Sequence, residues 1–171
     1  MNPFFVVGAP RSGSTLLRLM LGHHPDVCRC EEMEFVASAI HEFGRQPLAE
    51  KYRRYLDNHR GFRASGYKLD PSLGFADQAK DFLVQRRRID GCPLVGATVH
   101  HHFSKLPEIW PEAKYIFLVR DPRDVARSCV QMGWVGTPWY GTTYWLEAYQ
   151  EWCTLRELVP KESTLEIRFE D

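Results

Sequence analysis

The sequence predicts an α/β protein with a central parallel sheet of about five strands flanked by helices. Two observations support this fold class. Short β-branched and aromatic runs alternate along the chain with longer segments that carry apolar residues at helical spacing, which is typical of βαβ units. Two of the predicted strands, at residues 4–7 and 114–119, pass directly into predicted helices. Ligands of such folds bind at the carboxyl ends of the strands.

The predicted strands differ in the strength of their signals. Residues 4–7 form a β-branched and aromatic run that ends at Gly8, and residues 114–119, KYIFLV, give the clearest strand in the chain. The other predicted strands cover residues 66–69, 93–100 and 164–169.

Helices are predicted from apolar spacing and from start and stop signals. A helix over residues 13–22 stops before Pro25, and the pair Asp121 and Pro122 starts a helix over residues 121–132. The other predicted helices cover residues 31–43, 47–59, 75–88, 104–110 and 142–158.

Composition excludes several classes of protein. Apolar residues make up 44% of the 171-residue chain and charged residues 26%, so the chain is neither disordered nor collagen-like nor a coiled coil. Lysine plus arginine and aspartate plus glutamate both number 22, so no net charge attracts nucleic acid. No apolar run could span a bilayer, and the N-terminus lacks the basic lead-in of a signal peptide. We therefore expect a cytoplasmic protein.

The five cysteines are predicted to be reduced thiols, because their number is odd and the chain shows no export signal. Cys28 and Cys30 form a C-x-C pair with no second pair nearby, so we expect no zinc site there. The run of His100, His101 and His102 predicts no metal site either, because neighbouring residues on an extended chain point to opposite faces.

Residues 8–15, GAPRSGST, are the first candidate anion site. They follow a strand and open into a helix, so backbone N–H groups and the helix N-terminus point at one spot. Arg11 adds a positive charge, and Ser14 and Thr15 add hydroxyl donors. The spacing matches the phosphate-binding pattern G-x-x-x-x-G-K-[ST] except that Ser14 replaces the lysine that ATP chemistry needs. The alternative is an ordinary strand–turn–helix connection of small residues.

Arg120 and Ser128 form the second candidate anion site. Arg120 ends the clearest strand, and Ser128 lies about two turns along the next helix, so both can face the crevice above the sheet. A guanidinium and a hydroxyl there suit a phosphate monoester. The residues alone leave open a second interpretation, in which Arg120 pairs with Asp121 or Asp124.

Together these motifs resemble those of sulfotransferases that use 3′-phosphoadenosine 5′-phosphosulfate (PAPS). Residues 10–17, PRSGSTLL, are similar to the family's 5′-phosphosulfate-binding loop, and residues 115–128 to its 3′-phosphate-binding segment. The resemblance implies a P-loop-like nucleotide-binding fold and metal-independent, in-line transfer of a sulfuryl group from PAPS to a hydroxyl or amine, which leaves 3′,5′-ADP. It implies donor contacts from Arg11, Ser12, Gly13, Ser14, Thr15, Leu16, Arg120 and Ser128.

Two residues are candidates for the base that takes the proton of the acceptor. His100 resembles the catalytic histidine of the cytosolic branch, although a histidine at a strand end can instead cap a backbone group. Glu32 lies where the protein-tyrosine branch has a glutamate, although Glu31, Glu32 and Glu34 can instead be first-turn acids that favour the helix dipole. Arg11 is expected to stabilise charge on the leaving sulfuryl oxygen as well.

Two further functions remain alternatives: an ATP-dependent small-molecule kinase, which Ser14 disfavours, and a non-catalytic nucleotide-binding remnant. Residues 167–171 resemble the last-strand segment of the family, so we expect residues 1–171 to be a single domain without the family's C-terminal part. Leu16 stands where the cytosolic branch stacks an aromatic ring on adenine. The acceptor is expected to be a small molecule, a sugar or a peptide, and residues 134–141 are expected to form either an aromatic wall for it or a loop pinned to the core.

Overall fold

A computed structural model describes residues 2–44 and 46–171 of the chain. Within these residues a single sheet of four parallel strands runs in the order β2-β1-β3-β4. The strands are β1 Phe4–Val7, β2 Gly96–Val99, β3 Lys114–Val119 and β4 Thr164–Arg168. The predicted α/β class is confirmed, with β1 at an interior position between β2 and β3.

Seven α-helices and two 3₁₀ helices accompany the sheet in the described part of the chain. The α-helices are α1 Ser14–Gly22, α2 Glu34–Phe43, α3 Ala49–Asn58, α4 Arg60–Ser65, α5 Phe75–Asp90, α6 Pro122–Gln131 and α7 Pro138–Leu158. The 3₁₀ helices are Phe103–Glu108 and Lys161–Ser163.

The core forms around β1 and its two neighbours, β2 and β3. Every residue of β2 is buried, as are Phe5, Val6 and Val7 of β1, because a parallel sheet of this kind is covered on both faces. Trp152 of α7 stacks on Phe117 of β3 with their ring centroids 4.7 Å apart. This packing holds the carboxyl ends of the strands in a fixed arrangement.

The predicted strand at residues 66–69 is wrong. Gly66 adopts a left-handed conformation that ends α4, so the chain turns there instead of extending. The backbone N–H of Lys68 donates to the side chain of Gln85, and its carbonyl accepts from the same amide group. Because a side chain satisfies these backbone groups, no neighbouring strand is needed.

Several predicted helix boundaries also shift. The predicted helix at residues 47–59 ends at Asn58, and His59 then caps the separate helix α4 by accepting from the backbone N–H groups of Gly61 and Phe62. The predicted helix at 31–43 begins only at Glu34. The helix predicted from residue 142 begins at Pro138, so half of the segment 134–141 is helical. The segment predicted as a helix at 104–110 is a 3₁₀ helix.

The prediction that all cysteines are reduced thiols is wrong for one pair. Cys28 and Cys92 form a disulfide across 64 residues of sequence, with their Cα atoms 5.4 Å apart, whereas Cys30, Cys129 and Cys153 are free. The pair meets because the segment from Val27 onward runs parallel to the chain that enters β2. An odd cysteine count carries no information on this long-range contact.

None of the described helices is both long enough and apolar enough to cross a membrane.

Candidate active site

A cavity of about 850 Å³ opens at the carboxyl ends of β1, β2 and β3. This is the position where parallel α/β sheets bind ligands. Most of the predicted site residues line it together with side chains that sequence reasoning did not select. The lining residues are Pro10, Arg11, Gly13, Ser14, Thr15, Leu16, Leu19, Glu32, Glu34, His100, His101, Arg120, Trp134, Tyr144 and Phe169.

The loop between β1 and α1 adopts a conformation that few residue types tolerate. Arg11 has a φ of 69° and Gly13 a φ of 97°, both in the left-handed region. A Cβ atom on Gly13 would overlap two ring carbons of Phe169, so only glycine fits beneath that ring. The carbonyl of Gly13 accepts from the backbone N–H groups of Leu16 and Leu17 and thereby starts α1. Such local strain is typical of functional sites.

The two predicted anion motifs meet in the structure. The Nε of Arg11 donates to the Oγ of Ser128 over 2.9 Å, which joins the first loop to α6. The Nη1 of Arg120 donates to the carbonyl of Arg11 over 3.4 Å. Arg120 also lies 3.8 Å from Asp124 and 4.4 Å above the ring of Phe169. Two guanidinium groups are therefore held at one mouth of the cavity.

Two buried polar atoms of the two anion motifs lack a hydrogen-bond partner within residues 2–44 and 46–171. They are the Oγ of Ser12 and the Nε of Arg120. A buried polar atom without a partner costs free energy, so it commonly marks a ligand position. Ser12 is buried and does not line the cavity, whereas the side chain of Leu16 is exposed at the cavity edge. The polar donors present therefore fit an anionic group.

His100 lies at the end of β2 and contacts the anion loop with both ring nitrogens. Its Nδ1 lies 2.9 Å from the carbonyl of Gly8, and its Nε2 lies 3.3 Å from the Oγ of Ser14. Because a carbonyl can only accept, Nδ1 carries the proton and Nε2 accepts from Ser14. Burial lowers the pKa of His100, so the ring is neutral near pH 7. His100, one of the two candidate bases, therefore uses its one free lone pair, on Nε2, to hold Ser14 of the anion loop.

Glu32 and Glu34 line the cavity together with His100. Glu32 pairs with Thr98 of β2 through an isolated parallel bridge, and it is exposed to the cavity. Glu34, at the first turn of α2, accepts from the backbone N–H groups of His100 and His101. Burial raises the pKa of Glu34 to about 7. Only Glu34 belongs to a helical first turn, so the dipole interpretation does not hold for Glu32.

The aromatic residues divide into two groups. Trp134 and Tyr144 line the cavity with their ring centroids 6.1 Å apart, and Arg11 lies 5.8 Å from the centroid of Trp134. Trp139, in contrast, is 79% exposed and lies outside the cavity lining. Of the segment 134–141, Trp134 therefore forms part of the cavity wall, whereas Trp139 does not.

The three consecutive histidines do not form one extended segment, contrary to the expectation from the sequence, because the chain bends at His101 and His102. His102 has a φ of 57° and stacks on His41 with ring centroids 3.8 Å apart. Among the described residues, one group of side chains has metal-ligand atoms close to one another, and it consists of Cys28, Asp90 and Cys92. Two of these three residues are joined in the disulfide.

A model of the sulfotransferase family matches residues 3–171. The chain belongs to the sulfotransferase family. It is 32% identical over 140 residues to protein-tyrosine sulfotransferase 1 of Danio rerio, a match that covers 76% of this chain and 36% of the relative. It is 31% identical over 130 residues to nodulation protein NoeE of Sinorhizobium fredii, covering 72% of this chain and 30% of that protein. The matched part is thus about a third of the length of these curated relatives.

Solved sulfotransferase structures share this fold. The sulfotransferase domain from the Synechococcus PCC 7002 olefin synthase aligns over 99% of this chain and 68% of that domain, with a TM-score of 0.68 and 24% identity. The domain from the curacin biosynthetic pathway aligns over the same shares with a TM-score of 0.63 and 22% identity. The resemblance found in the sequence is confirmed at the level of family and fold.

Phe169 is the main residue of the cavity that sequence reasoning missed. Its ring covers Gly13 and lies beneath Arg120. It directly follows β4, whose neighbour β3 ends at the same edge of the sheet, and its backbone N–H donates to the carbonyl of Val119. An aromatic residue at the end of a predicted strand was the available signal.

Proposed function

We propose that this chain binds PAPS and transfers its sulfuryl group to a hydroxyl or amine of an acceptor. The observation that carries the proposal is the hydrogen bond between Arg11 and Ser128. It joins a phosphate-type loop and a second anion motif at one cavity, as a donor with two separate anionic groups requires. Family membership supports sulfuryl transfer over the kinase alternative.

The donor side of the site follows from the positions of its charged groups. In the proposal Arg11, Ser14 and Thr15 face the phosphosulfate, because the loop amides and the α1 N-terminus favour negative charge there. Arg120 and Ser128 face the 3′-phosphate. PAPS supplies the activated sulfuryl group, and Arg11 stabilises the charge that develops on the leaving oxygens during in-line transfer.

Glu32 is our choice for the base that takes the proton of the acceptor. Its carboxylate is exposed to the cavity, so an acceptor hydroxyl can reach it. His100 is less suited, because its one free lone pair already accepts from Ser14 and burial keeps the pKa of the ring low. We assign His100 to the support of the donor loop through Gly8 and Ser14.

The acceptor is proposed to carry an apolar or aromatic body next to its hydroxyl. Leu16, Leu19, Trp134 and Tyr144 give the cavity an apolar wall beyond the charged loop. Relatives are named protein-tyrosine sulfotransferases, which makes a tyrosine of a peptide one candidate. Small phenols and sugars remain candidates with the same chemistry.

Thermal-shift titration of the chain with 3′,5′-ADP, PAPS and ATP plus Mg²⁺ tests the donor assignment. We expect stabilisation by 3′,5′-ADP and PAPS that exceeds the effect of ATP plus Mg²⁺. Arg120→Met should abolish most of the 3′,5′-ADP shift, whereas Arg123→Met should retain it, because Arg123 is exposed and pairs with Asp121. Stabilisation by ATP plus Mg²⁺ without any by 3′,5′-ADP would contradict the proposal.

Radiolabelled sulfate transfer from PAPS to a panel of phenols, sugars and tyrosine peptides tests the base. Glu32→Gln should lower kcat by about 100-fold or more, in the range of general-base catalysis, with little change in 3′,5′-ADP affinity. His100→Ala should weaken donor binding instead, because the loop loses its contact at Ser14. Full activity of Glu32→Gln would refute this assignment.

A further inference from the structure

Residues 28–32, which we call the strap, are part of the connection between α1 and α2 and run alongside β2. Hydrogen bonds from the backbone and the side chain of Thr98 hold the strap to the strand. The carbonyl of Glu31 accepts from the N–H of Thr98 over 2.9 Å, and the carbonyl of Cys30 accepts from the Oγ1 of Thr98 over 3.1 Å. Glu32 is the last residue of the strap, so the position of the strap backbone determines where the Glu32 carboxylate lies in the cavity.

An ion cluster centred on the buried side chain of Arg86 holds the other side of the strap to α5. The Arg86 side chain is 4% exposed, and its three nitrogens each face a different partner. Nη2 donates to the carboxylate of Glu31, Nη1 to Asp90 over 3.4 Å, and Nε to the hydroxyl of Tyr67 over 3.4 Å. Asp90 in turn accepts from the backbone N–H and the guanidinium of Arg29. Both strap residues of the cluster are thus tied to one helix.

Such a cluster is a poor source of stability, because the desolvation of its least exposed charged members, Arg86 and Asp90, offsets much of the attraction between the charges. Its distinctive property is geometric. The planar fork of a guanidinium fixes the positions of the carboxylates that it binds. Around Glu32 the strap pairs with Thr98 as a parallel strand does, and neighbouring residues of such a pairing point to opposite sides. Because Arg86 holds the side chain of Glu31 on the α5 side, the side chain of Glu32 faces the cavity and His100.

We propose that Arg86 is a positioning residue that, by holding Glu31, sets the place of the Glu32 carboxylate beside His100. The catalytic consequence rests on the proposed function, in which Glu32 is the base. The placement itself has a readout without catalysis, because the negative charge of Glu32 raises the pKa of His100 against the lowering effects of burial and of Arg18.

The experiment is an NMR titration of the His100 imidazole in the full chain and four variants. Glu32→Gln should lower the pKa of His100, because the favourable charge is lost. Arg86→Lys keeps the charge but loses the fork, and it should lower the pKa of His100 by a similar amount. The double variant should add nothing further, whereas Arg87→Lys, at an exposed position on the same helix, should match the wild type.

An unchanged pKa of His100 in Arg86→Lys, or a full additive shift in the double variant, would overturn the proposal. If Arg86→Lys does not fold, Glu31→Gln tests the same ion pair, because it keeps the side-chain size and removes the charge that Arg86 binds. The expected shift and the outcomes that overturn the proposal are then the same.

Steady-state kinetics of sulfuryl transfer test whether Arg86 affects catalysis. We expect Arg86→Lys to lower kcat by about 10- to 100-fold while 3′,5′-ADP affinity changes less than about twofold, as for a base displaced by about 1 Å. An equal loss of donor affinity would indicate a general structural role and would refute positioning. If the wild type transfers no sulfuryl group, the proposed function fails, and the titration still decides the role of Arg86.

Discussion

Replacing Gly13 by alanine tests how the anion loop depends on Phe169. Gly13 has a φ of 97°, where a side chain is strained, and an added Cβ would overlap the ring of Phe169. That ring is 37% exposed and lies beneath Arg120. The methyl group can therefore be accommodated only if the ring moves and Arg120 loses its support.

The expected cost has two parts. A left-handed backbone costs an L-residue about 1–2 kcal/mol, and overpacking of a side chain costs about 1–3 kcal/mol. Gly13→Ala should therefore lower the free energy of unfolding by about 2–5 kcal/mol. Gly66→Ala is the matched control, because Gly66 has a φ of 72° and no atom within 4 Å of its added Cβ. The control should cost only the backbone part, about 1–2 kcal/mol.

Urea unfolding of the two variants and of Gly13→Ala combined with Phe169→Ala measures these quantities. In the double variant the overlap is gone, so we expect a favourable coupling energy of about 1–3 kcal/mol between the two positions. Affinity for 3′,5′-ADP should fall by about tenfold or more in Gly13→Ala, because Arg120 loses its orientation. Equal costs for Gly13→Ala and Gly66→Ala, with no coupling to Phe169, would show that the ring of Phe169 does not constrain the anion loop.

Three further predictions concern other parts of the molecule. Replacing both Cys28 and Cys92 by alanine should lower the free energy of unfolding in urea by about 4 kcal/mol, because the disulfide closes a long loop; Cys153→Ala is the control, and equal stabilities would contradict this. Burial raises the pKa of Glu34 from 4.5 to about 7, so the folded state binds this proton more tightly. The resulting stability is complete below about pH 4.5 and is lost as the pH rises to about 7. Thermal melts should show that Glu34→Gln flattens this decline, which amounts to at most about 3 kcal/mol, and an unchanged slope would contradict it. Ser128→Ala removes the acceptor of the Arg11 Nε, so calorimetry should show about a 2- to 10-fold loss of 3′,5′-ADP affinity, and unchanged affinity would contradict the shared role of the two motifs.

Local signals predicted most of the fold. The strand at residues 4–7 and the strand at 114–119 match the structure, because each is a compact apolar run bounded by turn residues. Asp121 does cap α6, since its side chain accepts from the backbone N–H of Arg123. The segment at 66–69 failed because its backbone partners belong to Gln85, and a side-chain contact of this kind leaves no periodic trace in the sequence.

The candidate site was predicted as a set of residues rather than as a set of contacts. Arg11 and Ser128 were both selected, but their hydrogen bond spans 117 residues and depends on the order of the strands. The strap was missed for the same reason, because Arg86 lies 55 residues from Glu31 and reads in the sequence as one of three consecutive arginines. The spacing of residues within one motif can be read from a sequence, whereas contacts between distant motifs can be known only once the order of the strands is known.

The strand order also gives the proposed transfer a direction. Arg120 follows β3 and Arg11 follows β1, while His100 follows β2, with Glu32 and Glu34 beside it. Because the order is β2-β1-β3, the guanidinium groups lie over one side of the cavity and the carboxylates over the other. The end of β1 is about one strand spacing, roughly 5 Å, from the end of β2, and the end of β3 is about two spacings, roughly 10 Å. An anionic donor is attracted to the first side and repelled from the second, which leaves the β2 side for the acceptor. In the proposed function, the base therefore lies to one side of the donor loop, next to it across His100, and the sulfuryl group moves from the β1 and β3 side towards β2.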